Sequence, residues 1–129
     1  MDDRICLDTD IIINFLRNKK EEVEFIRQHE NVVIFATTTI NIFELYYDAY
    51  KSGRQENIDQ VEQLQHRIKI LNLSKEAVEQ AGCIVAQLEK NGNPVDFRDV
   101  LIGCIAKTEF FCIKTNNKHF ERIPLLKVV

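Results

Sequence analysis

The sequence predicts an α/β protein built on a parallel sheet, and three observations support that prediction. Short apolar runs of strand length recur along the chain, for example at residues 5–7 and 110–114. Between such runs lie longer segments with apolar residues at helical spacing, as at residues 77–90. Strands that alternate with helices pair in parallel. No repeat or linker interrupts the sequence, so we expect one domain over residues 1–129.

The predicted elements follow one another in regular order. They are a strand at 5–7, helices at 11–17 and 21–28, a strand at 32–35, helices at 40–51 and 57–67, a strand at 68–73, helices at 77–90 and 95–107, and a strand at 110–114. The first strand has no polar residue, which indicates burial on both faces. The strand at 68–73 alternates apolar and polar residues, which indicates an edge strand. We expect the C-terminal tail to add one more short strand.

Composition narrows the class of protein. Apolar residues make up 45% and charged residues 29% of the chain, which is ordinary for a globular protein. No apolar run reaches the ~18 residues of a membrane span, and the opening MDDR is unlike a signal peptide, so we expect a cytoplasmic protein without a membrane partner.

The four cysteines are widely spaced in apolar contexts, which favours reduced core thiols. The net charge of −3 argues against binding nucleic acid by overall attraction, but it allows local contacts.

Two carboxylates follow the first strand. Ligands of parallel sheets collect beyond the carboxyl ends of the strands, where Asp8 and Asp10 are expected to lie. A buried carboxylate without a partner takes up a proton, binds a cation or caps a helix. For Asp10, capping the next helix and a functional role are equally good interpretations. For Asp8, which is still attached to the strand, we favour a cation site.

A third acid, Glu44, lies at the edge of an apolar helical stripe. Positions that share this face at 100° per residue are Ile40, Phe43, Tyr47 and Tyr50. Such a stripe normally faces the core, and an acid there is unusual unless it has a partner. Glu44 is therefore either paired with a basic or tyrosine side chain or part of a cation site.

The helix predicted at 95–107 begins with two further acids. Asp96 and Asp99 are three residues apart on one face, and the helix dipole favours their ionised forms. N-capping explains Asp96 well but explains Asp99 poorly. Gly103 continues that face and allows another part of the chain to approach closely.

Oxygen ligands from separate segments predict a site for a hard divalent cation. The carboxylates are Asp8, Glu44 and Asp99, and neutral oxygens at residues 115–117 follow the last strand. Mg²⁺ and Mn²⁺ prefer this ligand set, and the absence of histidine and cysteine at these positions disfavours zinc. Such a site suits metal-assisted hydrolysis of a phosphodiester.

In this order, the segments resemble the PIN-domain ribonucleases, especially the VapC toxins of VapBC toxin–antitoxin pairs. The resemblance rests on LDTDIIINFLR, TTTINIFELYYDAY, NPVDFRDVLIGCIAK and FFCIKTNNKHFERIPLLKVV. Glu44 matches the family's helical acid, and Asp99 matches the acid of its D-x-L-I-A-A segment. Gly103-Cys104 replaces the usual Ala-Ala. Asn117 stands where many members have a fourth acid, which favours one bound metal over two.

The resemblance implies a three-layer α/β/α sandwich with a central parallel sheet. It also implies a Mg²⁺- or Mn²⁺-dependent endoribonuclease that forms a homodimer and is inhibited by a VapB-like antitoxin whose tail enters the acidic groove. Asp8, Glu44 and Asp99 would hold the metal, and Thr115 and Asn117 would orient a metal-bound water or the ligands.

Further residues are candidates for supporting roles. Thr9 and Asn14 would orient the ligands. Lys114, Lys118 and Arg17 would contact RNA phosphates, although ordinary solvated charges are at least as good an interpretation of these three. Tyr46, Tyr47 and Tyr50 offer an apolar patch for dimerisation.

Two alternatives stay open at this point. Asp8-Thr9-Asp10 fits the D-x-D opening of haloacid-dehalogenase-like phosphatases, although Ile12 stands where that family has Thr or Val. A phosphatase would depend on Asp10, whereas a PIN nuclease would depend mainly on Asp8. Asn117 alone supports the second alternative, a degenerate PIN scaffold that binds partners without catalysis.

Overall fold

The computed structural model describes residues 3–129, and it contains every predicted helix and strand except the one in the C-terminal tail, with shifted boundaries. The strands are β1 (Arg4–Leu7), β2 (Ile34–Thr38), β3 (Lys69–Leu71) and β4 (Cys112–Lys114). The helices are α1 (Thr9–Leu16), α2 (Lys20–His29), α3 (Thr39–Ser52), α4 (Gln55–Leu64), α5 (Lys75–Lys90) and α6 (Phe97–Thr108), followed by a 3₁₀ helix at Lys118–Arg122. Within residues 3–129, no helix combines the length and hydrophobicity that a membrane crossing requires.

The four strands form one parallel sheet in the order β3-β2-β1-β4. β1 lies inside the sheet, where Cys6 is in register with Ala36 on one side and Ile113 on the other. β3 is an edge strand, as its alternating pattern predicted. The predicted strand in the tail is reduced to an isolated parallel bridge between Val128 and Ile113.

Helices cover both faces of the sheet, which confirms the three-layer α/β/α architecture. Alternate residues of a strand point to opposite faces. Cys6 and Ile113 belong to a core shared with α5 and α6, whereas Ile5, Leu7 and Cys112 belong to a second core shared with α1, α3 and α4. Because both cores are apolar, polar side chains gather at the ends of the strands.

The second strand extends further than predicted. Its apolar run suggested residues 32–35, but β2 runs to Thr38, while Val32 precedes it and is 59% exposed. The buried hydroxyl of Thr37 donates a 2.7 Å hydrogen bond to the carbonyl of Leu7. β-branched threonines fit a strand when their hydroxyls are bonded in this way, so β2 continues beyond its apolar residues.

The prediction that the aromatic stripe of α3 faces the core is wrong. Phe43, Tyr47 and Tyr50 are 61–64% exposed, and the buried face instead carries the residues Asn41, Ile42, Leu45 and Ala49. α3 has two apolar stripes at helical spacing, and periodicity alone does not distinguish them. The aliphatic stripe belongs to the core that α3 shares with α1 and α4.

Gly103 allows the C-terminal segment to pack closely on α6. A Cβ atom at this position would clash with Cδ1 of Ile123 and lie 3.1 Å from Cδ2 of Leu126. Ile123 is itself only 2% exposed and has little freedom to move away. Gly82, in the middle of α5, has no such neighbour within 4 Å.

The two glycines therefore predict opposite effects of alanine. Gly82→Ala should raise the free energy of unfolding by about 0.5–1 kcal/mol, because alanine is the better helix former. Gly103→Ala should lose this gain, because crowding of a packed core costs about 1–3 kcal/mol. Urea denaturation of both variants and the wild type measures the difference, and equal gains would contradict the close packing at Gly103.

Candidate active site

Asp8 lies at the carboxyl end of β1 and is the N-cap of α1. Its side chain is 7% exposed. Oδ1 accepts hydrogen bonds from the backbone N–H of Thr9 (2.9 Å) and from Nδ2 of Asn41 (3.0 Å), and Oδ2 accepts one from Oγ1 of Thr115 (2.7 Å). A buried carboxylate is thus held by three neutral donors, and none of them is a cation.

The environment of Asp8 disfavours its charge. Burial raises the pKa of Asp8 to about 6, while the hydrogen bonds from Thr115 and Thr9 act in the opposite direction. The negative charges of Asp10 and Asp99 add to the increase. The site therefore contains a buried carboxylate whose charge its neutral donors offset only in part, which is a property expected of a cation site.

Asp10 has a different position from Asp8. Its Oδ1 accepts a hydrogen bond from the N–H of Ile11 (2.8 Å), and its Oδ2 accepts one from the N–H of Asn116 (3.0 Å). α1 begins two residues earlier than predicted, because Asp8 rather than Asp10 is its N-cap. Asp10 ties the first turn of α1 to the loop after β4, which is a structural role.

Glu44 projects from α3 and reaches the same region. Its side chain is 25% exposed. Oε1 accepts a 2.6 Å hydrogen bond from Oγ1 of Thr9, and Oε2 lies 4.0 Å from Nη1 of Arg98. The predicted basic neighbour therefore exists, but it approaches Glu44 without a hydrogen bond, since 4.0 Å is too long for one.

Asp99 lies in the first turn of α6. Its Oδ2 accepts a 3.0 Å hydrogen bond from Nδ2 of Asn117. Burial raises the pKa of Asp99, the charges of Asp96 and Glu44 raise it further, and the Asn117 bond and His119 lower it. Asn117 thus offers a neutral donor to Asp99, where a fourth acid would repel it.

A chain of hydrogen bonds links the three acids. On one side, Oγ1 of Thr115 donates to Asp8 and accepts a 3.0 Å hydrogen bond from the backbone N–H of Asn117. Nδ2 of Asn117 in turn donates to Asp99. In the other direction Asn41 donates to both Asp8 and Oγ1 of Thr9 (2.9 Å), and Thr9 donates to Glu44. The structure therefore brings all five predicted site residues, and Thr9, into one network.

Asn41 is the member of this network that the sequence reasoning missed. It is fully buried in the first turn of α3, where it forms a capping box with Thr38. Its Oδ1 accepts a 2.7 Å hydrogen bond from Oγ1 of Thr38, which leaves Nδ2 free to donate toward Asp8. The feature of the sequence that could have pointed to Asn41 is the T-x-x-N spacing after the second strand, which resembles a capping box.

Several other candidates lie apart from the network. Among the described residues, the side chain of Asn14 makes no hydrogen bond to the three acids. Arg17 is at the far end of α1 from Asp8. Nζ of Lys114 lies 4.9 Å from the ring centroid of Phe25. Lys118 is exposed next to Asn117 and is the best placed of the predicted phosphate contacts.

The residues fit a water-rich magnesium or manganese site. Within residues 3–129, no three acidic, histidine or cysteine side chains form a ready-made metal cluster. Mg²⁺ characteristically keeps several waters and takes only one or two protein carboxylates, so a closed cluster is not required. The donors are all oxygens, and Asp8 is a buried carboxylate that has no cationic partner among the residues described. That Asp8, Glu44 and Asp99 share the metal stays a prediction.

The sequence matches the PIN-domain family over residues 5–126. It is 32% identical over 126 residues to "Ribonuclease VapC2" of Haemophilus influenzae, which covers 96% of this chain and 95% of that protein. It is also 32% identical over 127 residues to "tRNA(fMet)-specific endonuclease VapC" of Salmonella typhimurium, which covers 97% of this chain and 96% of that one.

Solved structures with the same fold cover nearly the whole chain. VapBC2 from Rickettsia felis, solved bound to a DNA fragment from its promoter, has a TM-score of 0.88 and 26% identity, over 98% of this chain and 97% of that one. DNA-bound VapBC from Salmonella typhimurium has a TM-score of 0.85 and 28% identity, over 98% of this chain and 96% of that one.

The raised pKa of Asp8 predicts a pH-dependent effect of Asp8→Asn on stability. The pKa of Asp8 is about 6 in the folded protein, against an ordinary pKa of 3.8. Ionisation of Asp8 therefore destabilises the fold as the pH rises from about 4 through 6. Asparagine cannot ionise. Relative to the wild type, Asp8→Asn should gain about 2–3 kcal/mol in the free energy of unfolding between about pH 4 and pH 7.

Urea denaturation at both pH values measures this gain, and the difference between them cancels any fixed cost of the altered hydrogen bonds. Asp48→Asn, at an exposed carboxylate of α3, is the matched control for the loss of a carboxylate. A constant difference between Asp8→Asn and the wild type across the range would show that Asp8 is not shifted upward.

Proposed function

The chain belongs to the PIN-domain family, in its VapC group, and from this premise we propose that it is the endoribonuclease toxin of a type II toxin–antitoxin pair. The protein is a nuclease and a hydrolase, and we propose that residues 1–129 act as one domain that requires Mg²⁺ or Mn²⁺. The observation that carries the proposal is the buried Asp8 carboxylate, which lies at the carboxyl edge of the sheet and is linked by hydrogen bonds to Glu44 and Asp99.

In this proposal Asp8, Glu44 and Asp99 hold the cation. A bound Mg²⁺ or Mn²⁺ supplies a water of lowered pKa and neutralises charge on the scissile phosphate. Thr115 and Asn41 fix the two carboxylate oxygens of Asp8. Because such partners orient a ligand and set its basicity, they determine which lone pairs face the cation.

The remaining members of the network act on the other two acids. Thr9 holds Oε1 of Glu44 and leaves Oε2 without a hydrogen bond, and Asn117 holds Oδ2 of Asp99 and leaves Oδ1 without one, among the residues described. Each acid therefore presents one available oxygen toward solvent or a ligand. Asn14 makes no such contact, so we assign it no role.

The substrate in this proposal is RNA, in keeping with the names of the relatives. Lys118 contributes one phosphate contact, because it is exposed and directly follows Asn117. Asp10 uses both carboxylate oxygens on backbone N–H groups, which leaves the haloacid-dehalogenase interpretation without its second catalytic acid.

We further propose a VapB-like antitoxin as the partner. The structural neighbours from Rickettsia felis and Salmonella typhimurium are both VapBC assemblies. The three acids Asp8, Glu44 and Asp99 favour a basic antitoxin tail, since opposite charges would meet there at close range.

Metal-dependent cleavage tests the nuclease. Purified protein should cut RNA in Mg²⁺ or Mn²⁺ and lose this activity in EDTA. Asp8→Asn and Asp99→Asn should reduce cleavage to background, because each removes a charge that holds the cation. Asn41→Ala should lower the rate by about 10–100-fold, since it removes the group that orients Asp8. Gel analysis of a labelled single-stranded RNA measures the rates.

Two variants serve as controls for this experiment. Asp48→Asn removes an exposed carboxylate of α3 and should keep full activity. Asp10→Asn distinguishes the nuclease from a phosphatase. A phosphatase would lose its activity entirely in this variant, whereas the nuclease depends mainly on Asp8. Cleavage that survives both Asp8→Asn and Asp99→Asn, or that persists in EDTA, would reject the proposed site. Wild-type protein that neither cuts RNA nor binds Mn²⁺ in calorimetry would favour the non-catalytic scaffold.

The exposed aromatic row of α3 supports the proposed homodimer. Phe43, Tyr47 and Tyr50 are each more than 60% exposed, whereas Tyr46 is half-buried and its hydroxyl accepts a hydrogen bond from Gln65. Three large apolar side chains on one helix face are a patch that association would cover. The patch therefore includes Phe43 in place of the predicted Tyr46.

Light scattering tests this assembly. Wild-type protein should have twice the 15.1 kDa mass of one chain. The double variant Phe43→Ser, Tyr47→Ser should shift to the monomer mass, because it removes apolar area from the patch. Val78→Ser, at an exposed apolar residue of α5, is the matched control and should stay dimeric. A monomeric wild type, or a double variant that remains dimeric, would contradict this arrangement.

A further inference from the structure

Arg98 has a fixed position beside the three acids. It immediately precedes Asp99 in the first turn of α6. Its Nε and Nη2 donate hydrogen bonds of 3.2 and 2.8 Å to the two oxygens of Asp96, which also caps the backbone N–H of Arg98 at 2.9 Å. This two-point contact holds the plane of the guanidinium, so its orientation does not depend on a substrate.

Most of the hydrogen-bonding capacity of Arg98 is unused. The guanidinium has five N–H groups, and Asp96 accepts from only two of them. Nη1 lies 4.0 Å from Oε2 of Glu44, beyond hydrogen-bond distance, and the side chain is 48% exposed. Within residues 3–129, the remaining N–H groups have no hydrogen-bond partner, and they lie beside the acids that are proposed to hold the cation.

A role as a mere counter-ion of Glu44 does not fit this geometry. A counter-ion gains most by direct hydrogen bonding, and a half-exposed pair at 4.0 Å contributes little. Instead, Asp96 takes one edge of the guanidinium and keeps the other edge near the cluster. A planar guanidinium with a free edge is suited to phosphate oxygens, which accept two parallel hydrogen bonds.

We propose that Arg98 is a substrate-binding residue that contacts a phosphate of the RNA backbone next to the scissile bond, with Asp96 as its positioning residue. This proposal rests on the proposed nuclease function and adds to it a residue outside the acid set. A cation at the acids and the guanidinium of Arg98 would together offset the charge of the phosphate, which the acids alone would repel. Asp96 is then the support of Arg98 and not a further metal ligand.

Kinetics with a fluorescein-labelled single-stranded RNA test this role. In Mn²⁺, Arg98→Ala should raise KM about tenfold with a smaller effect on kcat. The slope of log KM against the logarithm of the salt concentration, measured between about 50 and 200 mM salt, should fall by about 0.7 in this variant. That is the value for one phosphate contact on a single strand. Arg98→Lys keeps the charge and should restore part of the affinity. Calorimetry with Mn²⁺ alone should show no weaker binding in Arg98→Ala.

Arg54→Ala is the matched control. Arg54 also pairs with an acid two residues along the chain, Glu56, but lies at the start of α4 with its side chain 71% exposed. An Arg98→Ala variant whose KM and salt dependence equal those of Arg54→Ala would overturn the phosphate contact. So would a loss of Mn²⁺ affinity by the same factor as the loss of cleavage, since Arg98 would then act through Glu44.

A failure of the proposed function is separable from a failure of this inference. If the wild type does not cut RNA in Mn²⁺, the nuclease proposal fails, and binding of the same RNA is measured by fluorescence anisotropy instead. About tenfold weaker binding by Arg98→Ala than by the wild type would still support the phosphate contact. Equal dissociation constants would overturn it.

Discussion

The enclosure of one carboxylate, that of Asp8, is the constraint on which the site depends. Its three hydrogen-bond donors come from α1, from α3 and from the segment after β4, so these parts of the chain must meet at one point. The bonds offset only part of the cost of burying the charge, and the pKa of Asp8 is about 6 as a result. The fold thus maintains a group whose charge it disfavours, which is typical of functional sites.

The parallel sheet explains why this meeting point lies where it does. All four strands run in one direction, so their carboxyl ends meet at one edge. β1 is apolar on both faces, with Ile5 and Leu7 in one core and Cys6 in the other. Polar side chains therefore have no place along the strand and follow it directly, as Asp8 does. Thr115, which follows β4, reaches Asp8 because the two strands are neighbours.

The fold and the acids could be predicted from the sequence because their signals are local. Apolar runs mark the strands, and each acid stands out against the apolar residues around it. The T-x-x-N spacing indicates that Asn41 caps α3 but not that it contacts Asp8, because that contact joins α3 to the end of β1, which is distant in sequence. The buried face of α3 was predicted wrongly for a related reason, since two apolar stripes compete and only the packing of α3 against α1 and α4 selects one. Arg98 resembles any exposed charge until its pairing with Asp96 is known.

Asn117 shows how a single amide changes the electrostatics of such a site. Its Nδ2 donates to Asp99, and its backbone N–H donates to Thr115, which holds Asp8. An aspartate here would replace a donor by a charge beside Asp99, whose pKa is already raised by burial and by Asp96 and Glu44. That extra charge would need a second cation to offset it. With asparagine, position 117 donates to Asp99 and adds no charge to the three acids, so the expectation of a single metal stays a prediction.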